Sequence, residues 1–319
     1  MKLKILLVGA GQLGSRYAQG LVESKSCLEI IVVDPSVESL LKAKARWFEA
    51  GGSESPNQVR WSQSLPSDLR RIDVALVVTS SKGRASLVEK IANAIDVRYW
   101  VLEKVLAQSS EELRAIQSAL VGCKGAWVNT PRRMMSWHQS LKEVFASSGS
   151  LEVSYQAGLW GLACNSIHFI DLVAWWSGES LMSVDTSGLD HHWQESKRAG
   201  YFEITGELVA HFSGGTSLRL ISKQNAQAQP IRVALPDGVF WIVDESTGTA
   251  RSSTGEQLDG LIEFQSQISG RLLDNILQQG KCDLPSLDES SWMHAIFLDA
   301  MLAHWNSSQH QNDDFVPIT

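Results

Sequence analysis

Short apolar runs alternate with longer amphipathic ones over the first 128 residues. Leu3–Val8, Leu28–Val33, Val74–Val78 and Val97–Leu102 are five or six residues long, rich in β-branched residues and apolar on both faces. Segments that are apolar on both faces read as strands inside a parallel sheet. Helical stretches are predicted between them, near residues 12–23, 36–50, 82–94 and 109–121, with a last strand over Gly125–Asn129. This alternation predicts a doubly wound parallel sheet, a Rossmann domain over residues 1–128.

The pattern changes after Thr130. Thr130-Pro131 reads as an N-cap followed by a first helical residue. Met134, Trp137, Leu141 and Val144 follow at helical spacing, and Gly149 is placed to end that helix. Leu151–Gln156 predicts a strand. Asn165 predicts the cap of a helix reaching Trp176, with Gly178 beyond its end. Residues 201–222 read as two strands turning at Ser213-Gly214-Gly215-Thr216, and 231–243 as two more turning at Pro236-Asp237-Gly238. A polar loop is expected over 190–200, and helices near 261–279 and 287–305 close the chain. Consecutive strands with short turns predict an antiparallel or mixed sheet in a second α/β domain, residues 129–319.

Length agrees with this division: 319 residues make about two domains at roughly 150 residues each. Hydrophobic residues are 44% and charged residues 20%, which excludes a largely disordered chain. Lys and Arg number 28 against 35 Asp and Glu, a net charge of −7, so no nucleic-acid partner is expected. No apolar run is long enough to predict a membrane span. Lys2 and Lys4 lead into an apolar run that ends at a glycine turn, so no signal peptide is expected. Cys27, Cys123, Cys164 and Cys282 have no metal-type spacing. A reduced, cytoplasmic protein without a metal site is the expectation. Tryptophans at 160, 175, 176, 193, 241, 292 and 305 crowd the second half, predicting an extensive core or an interface.

Three motifs carry candidate chemistry. Gly9-Ala10-Gly11-Gln12-Leu13-Gly14 follows a predicted strand and opens a predicted helix. Gly9 makes the tight turn, Gly11 lets a pyrophosphate approach the backbone, and Gly14 lets helix and sheet pack closely. The helix start supplies amides and a positive dipole end. Asp34 ends the second strand, where a carboxylate accepts from ribose hydroxyls and repels a 2′-phosphate. NAD(H) is therefore expected over NADP(H). Glu103-Lys104 ends the strand Val97–Leu102, at the ligand side of an open α/β sheet. Lys104 there is placed to stabilise a developing alkoxide; a solvated charge pair is the alternative. His168 shares a helix face with Cys164, Asp171 and Trp175. It suits proton transfer at neutral pH; a satisfied structural histidine is the alternative.

In this order the motifs resemble the glucose–fructose oxidoreductase / inositol dehydrogenase (Gfo/Idh/MocA) family. The likeness covers the N-terminal GAGQLGSR, the strand-end EK at 103–104, the HxxD at 168–171, and Leu284-Pro285-Ser286-Leu287-Asp288-Glu289-Ser290 before the last helix. The resemblance implies a Rossmann domain plus an α/β domain with an open, mostly antiparallel sheet whose exposed face forms a homodimer or homotetramer. It implies hydride transfer to or from a sugar, cyclitol or sugar derivative, with Lys104 and His168 catalytic. Gly9, Gly11, Gln12, Leu13, Gly14, Asp34, Thr79 and Glu103 are then expected at the cofactor, and Arg132 and Asn165 at the substrate. Departures are Val105 for the family's proline after the lysine, Cys164 for an aspartate four residues before the histidine, and Ser166 for a glycine two before it. They motivate the alternative of a catalytically impaired nucleotide-binding sensor or assembly subunit.

Overall fold

The computed structural model describes residues 2–319. Its chain divides into two compact units. The first gathers the residues up to Lys104 with Arg114–Met134 and Glu263–Leu287; the second gathers Val105–Leu113, Met135–Ile262 and Asp288–Thr319. The boundary expected near residue 128 falls inside the first unit's Arg114–Met134 segment. The units are therefore not successive lengths of chain.

In the first unit, β1 (Leu3–Val8), β2 (Leu28–Val33), β3 (Gln58–Ser62), β4 (Arg71–Val77), β5 (Asp96–Glu103) and β6 (Gly125–Asn129) form one sheet in the order β3-β2-β1-β4-β5-β6. Every pairing in it is parallel. Helices α1 (Gln12–Gly20), α2 (Val37–Glu49), α3 (Arg84–Ala94) and α4 (Ser110–Ala119) connect its strands. β3 escaped the sequence reading because it is an edge strand with no fully buried residue, so it lacks the apolar run of its neighbours.

Two glycines let a late helix join this unit. A Cβ on Gly20 of α1 would come within 2.4 Å of the Ser266 carbonyl, and one on Gly270 within 2.9 Å of the Gly20 carbonyl. Only bare backbone allows such an approach. The Asp274 carboxylate then accepts from Ser24 Oγ, Lys25 N and Ser26 Oγ. The late helix, introduced below as α7, is thus fixed to the start of the chain by packing and by charge-assisted hydrogen bonds.

The second unit is built on β7 (Glu152–Ala157), β8 (Leu181–Leu189), β11 (Gly206–Phe212), β12 (Ser217–Ser222), β13 (Ile231–Ala234), β14 (Phe240–Asp244), β15 (Thr249–Ser252) and β16 (Gln257–Asp259); β9 (Gln194–Glu195) and β10 (Phe202–Glu203) form a separate ribbon. The sheet order is β16-β15-β14-β13-β7-β12-β11-β8, antiparallel except for β7 with β12. The remaining helices of the chain are α5 (Ser136–Phe145), α6 (Leu162–Ser177), α7 (Gln265–Gln279) and α8 (Leu287–Gln309). Most second-half tryptophans go to the core. Trp176 packs edge-on to Phe145 with ring centroids 5.0 Å apart, Phe145 meets Trp241, and Trp193 meets Trp305. Trp292 on α8 is the exposed exception.

Two predicted caps differ from what the chain does. Thr130-Pro131 opens only a 3-10 turn, Pro131–Met134, before α5 starts at Ser136. The Thr130 hydroxyl has no hydrogen-bond partner among the described residues, so it caps nothing. α6 starts at Leu162, not after Asn165. Its N-cap is Gly161, at φ +77°, a left-handed conformation that glycine adopts without penalty. Asn165 lies inside the first turn, and its side-chain amide donates back to the Trp160 carbonyl at 2.8 Å.

Candidate active site

The glycine-rich turn joins β1 to α1. Gly9 has φ +97°, and a Cβ there would sit 2.6 Å from the Val78 carbonyl. A Cβ on Gly14 would sit 1.8 Å from the Gly9 carbonyl, so helix and turn touch through backbone alone. Gly11 differs: a Cβ there would meet nothing within 4 Å. The space that closes around Gly9 and Gly14 stays open at Gly11. Gly11 is also the N-cap of α1, makes no side-chain cap, and is followed by a first turn without a carboxylate. The helix thus begins with unscreened amides and its positive dipole end.

Asp34, just beyond β2, accepts from Ala10 N at 2.7 Å and from Ser36 N at 2.8 Å, one bond to each carboxylate oxygen. This fixes the carboxylate beside the glycine turn and leaves each oxygen a further lone pair. Arg46 of α2, which the sequence did not single out, donates to Gln12 Oε1 at 3.2 Å, to the Gln12 carbonyl and to Ser15 Oγ. It adds a guanidinium beside the first turn of α1. Leu13 is half-buried in that turn.

At the carboxyl end of β5, Glu103 is buried and Lys104 half-buried. Glu103 Oε1 accepts from the Tyr17 hydroxyl at 2.8 Å and from Asn129 Nδ2 at 2.6 Å; the same Asn129 nitrogen donates to Gln265 Oε1 at 2.9 Å. Burial pushes the Glu103 carboxyl above its ordinary range; the Tyr17 and Asn129 hydrogen bonds and the charges of Arg84 and Lys104 pull it partly back. Burial and the Glu103 charge push the Tyr17 phenol well above 10. Arg84, at the start of α3 and fully buried, donates Nη1 to the Glu103 carbonyl at 2.6 Å and Nη2 to the Thr79 carbonyl. One guanidinium therefore ties the ends of β4 and β5, the segments that carry Thr79 and Lys104. Val105, Leu106 and Ala107, which follow Lys104, are completely buried.

Three oxygens along this edge, Thr79 Oγ1, Asn129 Oδ1 and Thr130 Oγ1, are buried without a partner among the described residues. An open glycine turn, an acid-free helix start, a fixed Asp34 and unpaired acceptors together fit a dinucleotide bearing phosphates, ribose hydroxyls and an amide. Arg132 is half-buried and Arg133 buried in the 3-10 turn after β6.

His168 lies on α6 with Cys164, as the spacing predicts, but in the second turn rather than the first, because the helix begins at Leu162. The first turn carries an unforeseen carboxylate. Glu203 of β10 accepts from Ala163 N at 2.8 Å and from Cys164 N at 3.3 Å. The anion that caps α6 thus comes from a residue 40 positions away. Asp171, one turn beyond His168, is buried. His191 stacks on His304 with centroids 6.2 Å apart; among the described residues no group of three metal-ligating side chains is placed to hold a metal ion. No described helix is long and apolar enough to cross a membrane.

No protein-family model and no curated protein sequence matches this chain. Solved structures do. UDP-N-acetylglucosamine 3-dehydrogenase GnnA from Acidithiobacillus ferrooxidans superposes with a TM-score of 0.71 at 16% identity, over 97% of this chain and 100% of that one. Myo-inositol 2-dehydrogenase from Lactobacillus plantarum gives 0.67 at 17% identity, over 99% and 100%. Myo-inositol dehydrogenase from Lactobacillus casei, solved with NAD(H) and myo-inositol, gives 0.65 at 17% identity, over 98% and 96%. The chain has the fold of these Gfo/Idh/MocA-type oxidoreductases, along essentially its whole length.

Proposed function

We propose that this protein is an NAD(H)-dependent oxidoreductase that transfers a hydride to or from a sugar, cyclitol or sugar derivative. The observation that carries this reading is the start of α1, open at Gly11, free of acid in its first turn and flanked by Asp34. Structural neighbours that act on inositol or a nucleotide sugar support the substrate class. Gly9, Gly11, Gln12, Leu13 and Gly14 hold the pyrophosphate, Asp34 the adenosine ribose, and Thr79 and Glu103 the nicotinamide end. Asp34 favours NAD(H), because its charge opposes a 2′-phosphate. The outer face of the second unit's sheet is proposed to meet a second copy in a homodimer or homotetramer.

The bound nicotinamide supplies or accepts the hydride. The chain's own residues handle the proton and the charge. In alcohol oxidation the role proposed for the His168 imidazole is to take the hydroxyl proton, and that for the Lys104 ammonium is to stabilise negative charge developing on substrate oxygen. In reduction His168 returns the proton, and Lys104 stabilises the same charge on oxygen as hydride adds to the carbonyl. Arg84 and Glu103 hold the backbone that presents Lys104, and Glu203 holds the first turn of the helix that presents His168. Arg132 and Asn165 are proposed substrate contacts.

The test is a fluorescence titration with NADH and NADPH, followed by a turnover screen on polyols, aldoses and nucleotide sugars. NADH is expected to bind at least about tenfold tighter than NADPH, a difference of about 1.4 kcal/mol. On a substrate that the parent turns over, Lys104→Met is expected to lower kcat about 10²–10³-fold and His168→Ala about 10²–10⁴-fold, with cofactor affinity kept. Failure to bind NADH overturns the proposal. Binding without turnover across the screen favours the sensor or assembly role motivated by Cys164 and Val105.

A further inference from the structure

Two strands of the first unit, β4 and β6, lead to oxygens that the protein leaves unpaired among the described residues. Thr79 Oγ1 follows β4, Asn129 Oδ1 closes β6, and Thr130 Oγ1 comes next in the chain; none has a hydrogen-bond partner among the described residues. β5, ending in Glu103 and followed by Lys104, lies between them in the sheet, and Asn129 pairs in register with Glu103. Asn129 is 2% exposed and Thr130 1%. Water therefore does not readily satisfy them from bulk. Buried polar groups without partners are rare in folded chains, and a ligand that completes them is one physical reason for keeping them.

The chemistry of Asn129 decides which kind of ligand. Its amide nitrogen faces two carbonyl-type acceptors, Glu103 Oε1 and Gln265 Oε1. The nitrogen must therefore point that way, and the atom left over is an acceptor, so the missing partner is a donor. Thr130 is equally telling. Its backbone N–H is used by the Val128 carbonyl, and its hydroxyl does not cap the turn that follows. In a sheet of order 3-2-1-4-5-6 a dinucleotide spans the switch between β1 and β4. Asp34 places the adenosine half on the β2 side, which leaves β4, β5 and β6 to the other half. The donors of that half are two ribose hydroxyls and the carboxamide N–H group.

We propose that Asn129 and Thr130, together with Thr79, form the seat of the nicotinamide riboside half of the cofactor. The proposal rests on the NAD(H) reading above. It makes the end of β6 part of the binding machinery, which neither the glycine motif nor the strand-end lysine identifies.

The experiment compares NADH with ADP, which lacks the nicotinamide riboside, by calorimetry on the parent, Thr130→Val and Thr79→Val, and measures the melting temperature of each protein without ligand. Valine keeps the shape and removes the hydroxyl. Each variant is expected to bind NADH about five- to tenfold more weakly, the worth of a lost hydrogen bond. ADP affinity is expected to stay within about twofold, because its contacts lie at the other strands. The unliganded melting temperature is expected to hold or rise, since an unsatisfied buried hydroxyl has been removed. A hydroxyl with a purely structural role gives the opposite signature, a lower melting temperature with NADH and ADP affected alike. An unchanged NADH to ADP ratio in Thr130→Val overturns the proposal, as does a parent that binds the two equally. A parent that binds neither overturns the NAD(H) reading itself.

Discussion

Two helix starts in this protein are opposites. α1 begins at a glycine with no side-chain cap, no acid in its first turn, and open space where a Cβ of Gly11 would stand. α6 also begins at a glycine, but there Glu203 fills the end, its two oxygens accepting from Ala163 N and Cys164 N. Both ends offer the same amides and the same partial positive charge. One is closed by the protein's own anion, and the other has neither a side-chain cap nor an acid in its first turn. A helix start identifies a ligand site only when nothing in the fold already answers it. His168 lies a turn further along α6, beyond the end that the Glu203 carboxylate meets.

The largest expected effect comes from making the first end resemble the second. Gly11 has φ −61° and ψ −161°, extended backbone that aspartate adopts readily, and its Cβ has room. Gly11→Asp is expected to leave the unliganded melting temperature unchanged or slightly higher, aspartate being at least as good an N-cap as glycine, by about a few tenths of a kcal/mol. NADH affinity is expected to fall at least about 100-fold through charge repulsion at the pyrophosphate. Retained NADH binding, read by fluorescence titration, would show that the α1 end is not the anion site.

Opening the second end is the converse experiment. Glu203→Ala removes a carboxylate from two amides and is expected to cost about 1–2 kcal/mol, lowering the melting temperature by about 2–6 °C. NADH affinity is expected to stay unchanged. A variant as stable as the parent would mean that water replaces Glu203 without loss. A third, smaller effect sharpens the role of Arg46. Arg46→Met is expected to weaken NADH about three- to tenfold at low salt and less at high salt, as for a charge that supports an anion site without closing it. A salt-independent loss measured in the same titration would assign Arg46 to packing alone.

The smallest effect concerns Glu103. Its folded carboxyl is pushed upward by burial, so the stability it contributes is present below the ordinary carboxyl range and is lost as pH rises through the raised folded value. Glu103→Gln carries no such charge. Its stability relative to the parent is therefore expected to improve as pH increases from acid towards neutral. Denaturant midpoints at a series of pH values check the sign; a relative stability that falls with rising pH refutes it.

Much of the first unit was legible in the sequence. Buried parallel strands are apolar on both faces, so β1, β2 and β6 could be bounded from their runs alone, and Gly9, Gly11 and Gly14 mark a turn that only bare backbone permits. The second unit was less legible. β8, β15 and β16 alternate or are short, so their buried positions do not form runs, and Asn165 mimics a cap one turn inside a helix that Gly161 begins. Of the candidate site, the sequence marked the residues whose chemistry is local: the glycines, Asp34 at a strand end, Lys104 beside Glu103, and His168 on a helix face with Cys164.

What the sequence by itself determined is therefore the order of most elements and the glycine turn, because each depends on neighbours a few positions away. Only the tertiary structure decided the partners. Arg84 reaches the Thr79 and Glu103 carbonyls, Tyr17 and Asn129 share the Glu103 carboxylate, and Glu203 closes α6 from 40 residues away. No local pattern encodes these pairings, because a buried charge is satisfied by whichever groups the packed fold brings within about 3 Å, whatever their distance along the chain.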